Sequence, residues 1–572
     1  MRIMLITYRF GRDIAGGGER YLRELMIRLA GLGHEVEVFT TRSRQMILSP
    51  FNYLLWDNFL PPGREEDGGV GVNRFEVRNP HPGRARRITR YLLALQEEER
   101  ESREFASIML EAMRGCSDHC FLSGWHRLER WEDGDARWTR REALLVVGGR
   151  GMAGLDLEAY SYLGGLLVVE VEGGGSWEFE LEKGRLRELS LELPPCDAAA
   201  VALVSPRVAR PPGDVRELGV AVRRVAIRED GARRELDLGR GWAEFMATAP
   251  ERVLGRVLWR AAEGRPRRAA RRHRYIMGPR SPRLEKAVMA AAPAYDVICA
   301  SMVPMSTMSV AARAARSAGV PLVAFPLFHT RDPNHYWAHF KEALEEAAGV
   351  EANSEVMAAL MRDWGFRSFA VGPGYDLEEF ASPGIDGGRF RAEFGLGGRP
   401  VLLWVGRKNL YKGYLEAMAA LRMVRERGCP AVLVMIGPDE DQLPVSAEGV
   451  YYLGAQPRQR VLDAFDACDV FILPSLHESF CLVFCEAWLR GKPVLGNVYC
   501  AAARGLIKHG EDGYLCADAA DYAQRALELI EDGEKAKAMG ERGRRKTLDT
   551  RGWDLRAKEL AQRLAEIAGK DG

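Results

Sequence analysis

Two carboxylates and two cations carry the chemistry that can be read along this chain. Glu478 and Glu486 stand eight residues apart in the stretch DVFILPSLHESFCLVFCEAWLRGKPV at 469–494. Arg407 and Lys412 lie upstream. A carboxylate facing a crevice accepts hydrogen bonds from ribose or sugar hydroxyls. Arginine binds phosphate as a planar fork, and lysine binds it as a compact point charge. Eight helical residues rise about 12 Å and return to within about 80° of the same face. Glu478 sits in the turn, so one acid would lie at a crevice mouth and the other one to two turns into the helix. Two ordinary surface acids, one near a favourable helix N-terminus, give the same spacing. Two cations after a strand are also compatible with simple solvation.

These residues need a scaffold, and the surrounding pattern supplies one. Val470, Phe471, Ile472 and Leu473 form a run of strand length. Pro474 and Ser475 break it. From about Ser479 the apolar spacing turns helical, through Phe480, Val483, Phe484, Ala487 and Trp488, and it stops at Gly491 before Lys492 and Pro493. Another strand, 401–405, runs into Gly406 and Arg407. Both acids and both cations thus fall just past strand ends, where open α/β sheets bind ligands.

The amino end repeats the arrangement. A strand at 3–7 leads to Gly16, Gly17 and Gly18. The helix that follows shows Leu22, Leu25, Met26, Leu29 and Ala30 on one face. Gly31 and Gly33 end it, and residues 34–39 alternate as a second strand. A glycine run opening a helix permits close backbone approach and offers free N–H groups to an anion. A plain flexible turn is the commoner fate of three glycines. The spacing does not fit G-x-G-x-x-G, which disfavours a dinucleotide site. The α/β pattern resumes at 295–300, with a helix near 309–318 and a strand at 321–325. His329 lies just past that strand.

Between these parts the texture changes. Residues 116–230 hold a series of short strands, among them 144–147, 166–171, 177–181, 189–193, 200–204 and 221–227. Turns containing Gly, Pro and Asp separate them, which is the pattern of an all-β sandwich inserted in an α/β domain. Gly124-Trp125-His126, Arg137-Trp138 and the segment 216–222 resemble a β-sandwich module attached to some bacterial polysaccharide enzymes. Trp125 and Trp138 present either sugar-stacking faces or core tryptophans, and the core reading is the commoner one.

Length and composition set the bounds. At 572 residues the chain exceeds one core. Its 81 Lys+Arg against 80 Asp+Glu, with 47% hydrophobic residues, describe a globular chain with no general nucleic-acid coat. Ten cysteines over this length are far from a disulfide scaffold. The i, i+4 pairs Cys116/Cys120 and Cys481/Cys485 lack further ligands for zinc. The apolar run at 3–6, followed by Tyr8-Arg9, lacks the length of a signal peptide's apolar region, and no apolar run approaches membrane-spanning length. A cytoplasmic protein is expected. Residues 256–283 are rich in arginine, including Arg265, Arg267, Arg268, Arg271, Arg272 and Arg274. They read as a solvated helix face, with peripheral contact to acidic lipid at the inner membrane face, or to a polyanionic acceptor, as the alternatives.

Glu478, Phe480 and Glu486 with Gly491-Lys492-Pro493-Val494 resemble the E-x7-E signature of retaining GT-B glycosyltransferases, family 4. Val405-Gly406-Arg407 with Lys412-Gly413 resembles the same family's G-R-x4-K-G element. Gly372-Pro373-Gly374-Tyr375-Asp376 resembles its interdomain segment, with Tyr375 replacing the usual valine. The resemblance implies an α/β fold of two Rossmann-like domains facing a cleft. The expected division is 1–115 and 231–375 for the first domain, 116–230 for the sandwich, 376–550 for the nucleotide-sugar domain, and 551–572 for a terminal helix crossing back. It implies transfer of a sugar from a nucleotide-sugar to a glycan or lipid-linked acceptor, with retention, in cell-surface polysaccharide synthesis. Arg407 and Lys412 would face the diphosphate, Glu478 the donor sugar, Glu486 the ribose and His329 a sugar hydroxyl. Gly16, Gly17, Gly18, Gly406 and Phe480 would complete the donor site. No cofactor and no metal are implied. Asp133-Gly134-Asp135 and Asp439-Glu440-Asp441 read as turn acids rather than metal ligands. A sugar-nucleotide epimerase of similar fold, and a non-catalytic glycan-binding protein acting through the sandwich, are the rival readings.

Overall fold

Parallel strands covered on both faces read as unbroken apolar runs, and the two central strands of the first sheet are of this kind. The computed structural model describes all residues except 15, 50, 132, 133, 212, 213, 477, 571 and 572. Asp133, half of one acidic pair named above, therefore lies outside the described residues. The first sheet runs Ser368–Phe369, Gly349–Glu351, Leu322–Phe325, Val297–Ser301, Arg2–Ile6, Glu35–Thr41, Val70–Phe75, with Gly63–Asp67 as an antiparallel edge. Its order reverses between Arg2–Ile6 and Val297–Ser301, where Ile3 lies opposite Val297 and Ile6 opposite Ala300. Such a reversal opens a crevice at the carboxyl ends of the two strands.

The second sheet is wholly parallel. Its order is Val450–Tyr452, Val432–Ile436, Val401–Val405, Val470–Leu473, Val494–Asn497, Gly513–Cys516. Here the reversal falls between Val401–Val405 and Val470–Leu473. Helix Trp553–Ala568 packs on helix Gly17–Gly31, and its Trp553, Ala557, Leu560 and Leu564 join the core of the first sheet. Both sheets belong to one compact unit, Met1–Arg86 with Ala270–Gly572.

The other unit is Arg87–Ala269. It carries helices Arg103–Met113, Trp242–Thr248 and Glu251–Gly264 beside its strands. The strands form one continuous seven-stranded antiparallel sheet, not the two sheets of the expected sandwich. Strand Gly134–Ser161 pairs with His119–Trp131, Leu186–Val204 and Val220–Glu229, so the sheet curls around a single core containing Phe121, Leu145, Leu155, Leu191 and Val222. Gly173, Gly174 and Gly184 lie in turns as expected, but other glycines and prolines, such as Gly148, Pro194 and Pro195, fall inside long strands and bend them. A Cβ at Gly148 would sit 2.2 Å from the Cys116 carbonyl oxygen. The register of Leu186–Val204 slips between Glu192 and Cys196, across Pro194 and Pro195. Bulges of this kind increase bend and twist without ending a strand.

Both candidate sugar-stacking tryptophans are committed to packing. Trp138 is 6% exposed and lies among Trp131, Tyr160, Leu218 and Ala221. Trp125 donates its indole N–H to the Leu144 carbonyl at 2.8 Å and meets Phe121 edge-on. In the same unit Arg265, from the arginine-rich run, is buried against Glu99 at 2.9 Å. No helix among the described residues is long and apolar enough to cross a membrane. None of the ten cysteines is in a disulfide.

Candidate functional site

The reversal in the second sheet decides which loops meet. The loop after Val401–Val405 holds Gly406, Arg407 and Lys412, and the loop after Val470–Leu473 holds Glu478. Gly413 draws them together. It adopts φ +71°, and a Cβ there would lie 2.3 Å from the Pro474 carbonyl oxygen. Only glycine tolerates both the angle and the approach. The Leu476 N–H donates to the Tyr411 carbonyl at 3.2 Å, fixing the second contact between the loops. Gly437 acts similarly one strand away, since a Cβ there would collide with the Gly406 carbonyl.

Lys412 consequently donates to Glu478 at 2.6 Å, with both side chains mostly buried. Burial alone would raise the Glu478 pKa, but the Lys412 charge and hydrogen bond outweigh it and hold the carboxyl below its ordinary value. His329, from the first domain, lies in the same field. Burial first, then the neighbouring His335 and Lys412, push its pKa down to about 3, against the pull of Glu478. Its imidazole is neutral at ordinary pH, and its backbone N–H donates to His335 Nδ1 at 3.1 Å. Arg407 is about half exposed, and it donates to Glu440 at 2.9 Å and to the Tyr411 hydroxyl at 3.2 Å. Sequence-predicted Arg407, Lys412, Glu478 and His329 thus converge.

Glu486 does not share a helix with Glu478. The helix begins at Leu482, after Cys481 in a left-handed conformation at φ 70°, and ends at Leu489. The expected helix start near Ser479 is corrected to Leu482, while Glu478 lies in the loop as expected, so the eight-residue helical offset does not apply. Glu486 instead accepts from Arg458 at 2.8 Å, and Arg458 also grips Glu379 through two bonds of 2.8 Å. Beside Glu486 lies a cavity of about 30 Å³, lined also by Gly17, Tyr375 and Phe380. Phe480 is 4% exposed in the second core, with the Arg551 guanidinium 4.9 Å from its ring centre. Its side chain is engaged in packing.

Each of the three amino-terminal glycines meets a close neighbour. A Cβ at Gly16 would strike the Glu19 carboxylate, one at Gly17 would lie 2.7 Å from Leu482, and one at Gly18 would lie 2.5 Å from Leu327. The Gly17–Leu482 approach brings the carboxyl rims of the two sheets together. Arg331 adds a bond of 2.8 Å to the Tyr499 carbonyl. Glu19, in the first turn of the following helix, is bound by Arg9 and the Tyr8 hydroxyl.

Several engaged residues escaped the sequence reading. Lys408, fully buried, bridges Asp439 at 2.8 Å and Asp441. Asn409 donates to Glu440 at 2.6 Å. The acidic run 439–441 is thereby occupied by cations and an amide of the neighbouring loop. Arg458 and the Arg9–Glu19 pair are also new. None has a local signal, because no partner lies at a helical or strand spacing; the separations run from 10 residues for Arg9–Glu19 to 79 for Arg458–Glu379. Tyr375, singled out only as a substituted position, donates its hydroxyl to the Leu482 carbonyl at 2.8 Å.

Comparison with known proteins agrees with this geometry. Residues 388–546 match the family model described as glycosyl transferases group 1. A D-inositol 3-phosphate glycosyltransferase of Nocardia farcinica is 32% identical over 226 residues, covering 35% of this chain and 49% of that protein. Spore coat protein SA of Bacillus subtilis is 27% identical over 192 residues, covering 30% of this chain and 50% of its own length. The chain spans about half the length of these curated relatives. The structure of a sucrose-phosphate synthase from Thermosynechococcus elongatus aligns over 99% of both chains with a TM-score of 0.50 and 14% identity. The fold is the GT-B arrangement, two Rossmann-like sheets that meet at their carboxyl rims.

Proposed function

We propose that this chain is a retaining glycosyltransferase of family 4 that moves a sugar from a nucleotide-sugar to a glycan or lipid-linked acceptor in cell-surface polysaccharide synthesis. The observation that carries the reading is the convergence of Arg407, Lys412 and Glu478 at the second sheet's reversal, with neutral His329 supplied by the first domain. The group 1 match over 388–546 and the glycosyltransferase name of the Nocardia farcinica relative support it.

The chemistry follows from charge. Cleaving the bond between the anomeric carbon and a nucleoside diphosphate leaves growing negative charge on the departing phosphate. Fixed cations stabilise that charge most where water is excluded. Lys412 is held by Glu478 and Arg407 by Glu440, so both are positioned before a ligand arrives. Glu478 and His329 are placed to meet sugar hydroxyls, the first as an acceptor only and the second with one donor and one acceptor nitrogen. Glu486 and Arg458 flank the small cavity in which a ribose hydroxyl would find an acceptor. No cofactor is invoked, and activity is expected to persist after exhaustive chelation, since the side chains themselves supply the countercharge. Loss of activity restored by Mn²⁺ or Mg²⁺ would overturn that part.

Calorimetry against a panel of nucleotide-sugars tests the donor assignment, with product analysis by anomeric configuration testing retention. A binding donor at 100 times its Kd should stabilise the fold by about 2.7 kcal/mol. Conversion of the nucleotide-sugar without any acceptor product would identify an epimerase instead.

A further inference from the structure

A larger cavity lies away from these residues, on the carboxyl rim of the first sheet. It has a volume of about 330 Å³ and is lined by Arg271, Arg274, Arg280 and Arg313. Thr41, the last residue of strand Glu35–Thr41, borders it, as does Ser306, which opens the helix after strand Val297–Ser301. It therefore sits beside the first sheet's own reversal, where ligands bind in open α/β sheets. The segment 270–283, read from sequence as a solvated arginine face, in fact forms one wall of this cavity.

Charge in the cavity is unbalanced. Four guanidinium groups face a single lining carboxylate, Glu285, which pairs with Arg313 at 2.6 Å. Arg271 and Arg274 have no ion-pair partner among the described residues. Burial, together with the charges of Arg313 and Arg271, presses the Arg274 pKa below the usual arginine range. Arg280 lies over the Tyr275 ring at 4.8 Å, which leaves its charge uncompensated. Two further groups lack partners. Thr307 is 2% exposed and Ser309 7% exposed, both line the cavity, and neither hydroxyl has a hydrogen-bond partner among the described residues. Buried hydroxyls without a partner are uncommon and call for an explanation. Both belong to the first turn of helix Ser306–Ala318, where backbone N–H groups and the helix dipole favour an anion.

We propose that this cavity binds the phosphate of a phosphorylated acceptor. The acceptor assignment rests on the transferase reading above; the anion site stands on its own geometry. Guanidinium forks suit the several oxygens of a phosphate, and paired hydroxyl donors complete the shell. The cavity volume accommodates a phosphate with part of its attached polyol, within the usual range for small-molecule sites.

Titration with inorganic phosphate tests the anion site directly, performed with a nucleoside diphosphate saturating the donor side. One phosphate per chain is expected, bound at least tenfold more weakly after Arg271→Gln, whose exposed side chain should leave folding intact, and more weakly still after Arg271→Gln with Arg274→Gln. Arg407→Ala should leave this binding unchanged. Equal phosphate affinity in the wild type and the Arg271→Gln variant would overturn the site. A second arm compares a hexose with its 6-phosphate as acceptors, using a nucleotide-sugar donor. Preferential glycosylation of the phosphorylated sugar, lost in Arg271→Gln, is expected. If the hexose phosphate accelerated donor breakdown without being glycosylated, the anion would be an effector and the acceptor assignment would fall. If no nucleotide-sugar bound at all, the transferase reading and the acceptor assignment would fall together, and the phosphate titration would still decide the anion site.

Discussion

The two carboxyl rims of the GT-B unit handle charge in opposite ways. On the second rim Lys412 faces Glu478, Arg407 faces Glu440, Lys408 faces Asp439 and Asp441, and Arg458 faces Glu379 and Glu486. On the first rim Arg271 and Arg274 share a cavity with two other arginines and one carboxylate. A paired rim is rigid and its cations are aimed, at the expense of carboxylates that compete with a ligand. A rim with a surplus of cations leaves like charges close together, and burial first, then the Arg313 and Arg271 charges, depress Arg274. The difference teaches that a cation's position after a strand does not reveal its state. The partner does.

The largest effect is expected from breaking the second rim at its most buried pair. Lys412→Ala leaves Glu478 without its countercharge, so about 3–5 kcal/mol of stability should be lost along with turnover. Chemical denaturation measures the first and steady-state kinetics the second. The double variant Lys412→Ala, Glu478→Gln should regain much of the stability and none of the activity. A stable Lys412→Ala protein would show that the pair is more solvated than its geometry indicates.

Arg407→Ala separates the two properties. Its side chain is about half exposed, so stability should change by less than about 1 kcal/mol. Turnover should fall by about 10²–10³-fold, corresponding to roughly 2.7–4 kcal/mol of lost transition-state stabilisation. Near-normal kcat would remove Arg407 from the site.

Gly413→Ala probes how the second rim is assembled rather than how it reacts. A left-handed φ and a Cβ 2.3 Å from a carbonyl oxygen should cost about 1–3 kcal/mol. The loop should shift, and donor affinity measured by calorimetry should weaken with it. Unchanged affinity in a folded variant would mean that the loop contact does not position Lys412.

The smallest effect concerns the first rim. Burial, and then the Arg274 charge, lower the His339 pKa to about 3, and neither ring nitrogen has a hydrogen-bond partner among the described residues. A depressed histidine contributes no penalty above its unfolded pKa near 6.5, and stability is lost as pH falls below that value because only the unfolded chain takes up the proton. The loss is at most about 1.4 kcal/mol per pH unit for this group down to its folded pKa. His329, depressed to about 3, acts in the same direction. Thermal unfolding between pH 7 and 5 should therefore show a falling midpoint, and His339→Leu should flatten the slope. An identical slope in the variant would place the titrating groups elsewhere.

The second rim was legible because local pattern and chemistry coincide there. The run Val470-Phe471-Ile472-Leu473 and the strand ending at Gly406 could be read from β-forming apolar residues, and the four charged residues lay just beyond. The inserted unit was legible only as a change of texture. Two of its strands are 28 and 19 residues long where shorter ones were expected. Glycine and proline mark a change in backbone direction, and whether that change is a turn or a bend within a strand depends on the partner strand. Trp125 and Trp138 show the same limit, since a tryptophan's environment is set by residues distant in sequence.

What the sequence determined by itself was the order of strands and helices, the glycines at Gly413 and Gly16–Gly18, and the residue types available at each strand end. Those follow from short-range sterics and from the periodicity of apolar residues. What only the tertiary structure decided was the pairing. The reversal of strand order in each sheet sets which loops become neighbours. That placed Lys412 on Glu478, Lys408 between Asp439 and Asp441, and Arg271 near Arg274 with neither in an ion pair among the described residues. Electrostatic interaction depends on distance in space and on burial, and neither is encoded in the spacing of charged residues along the chain.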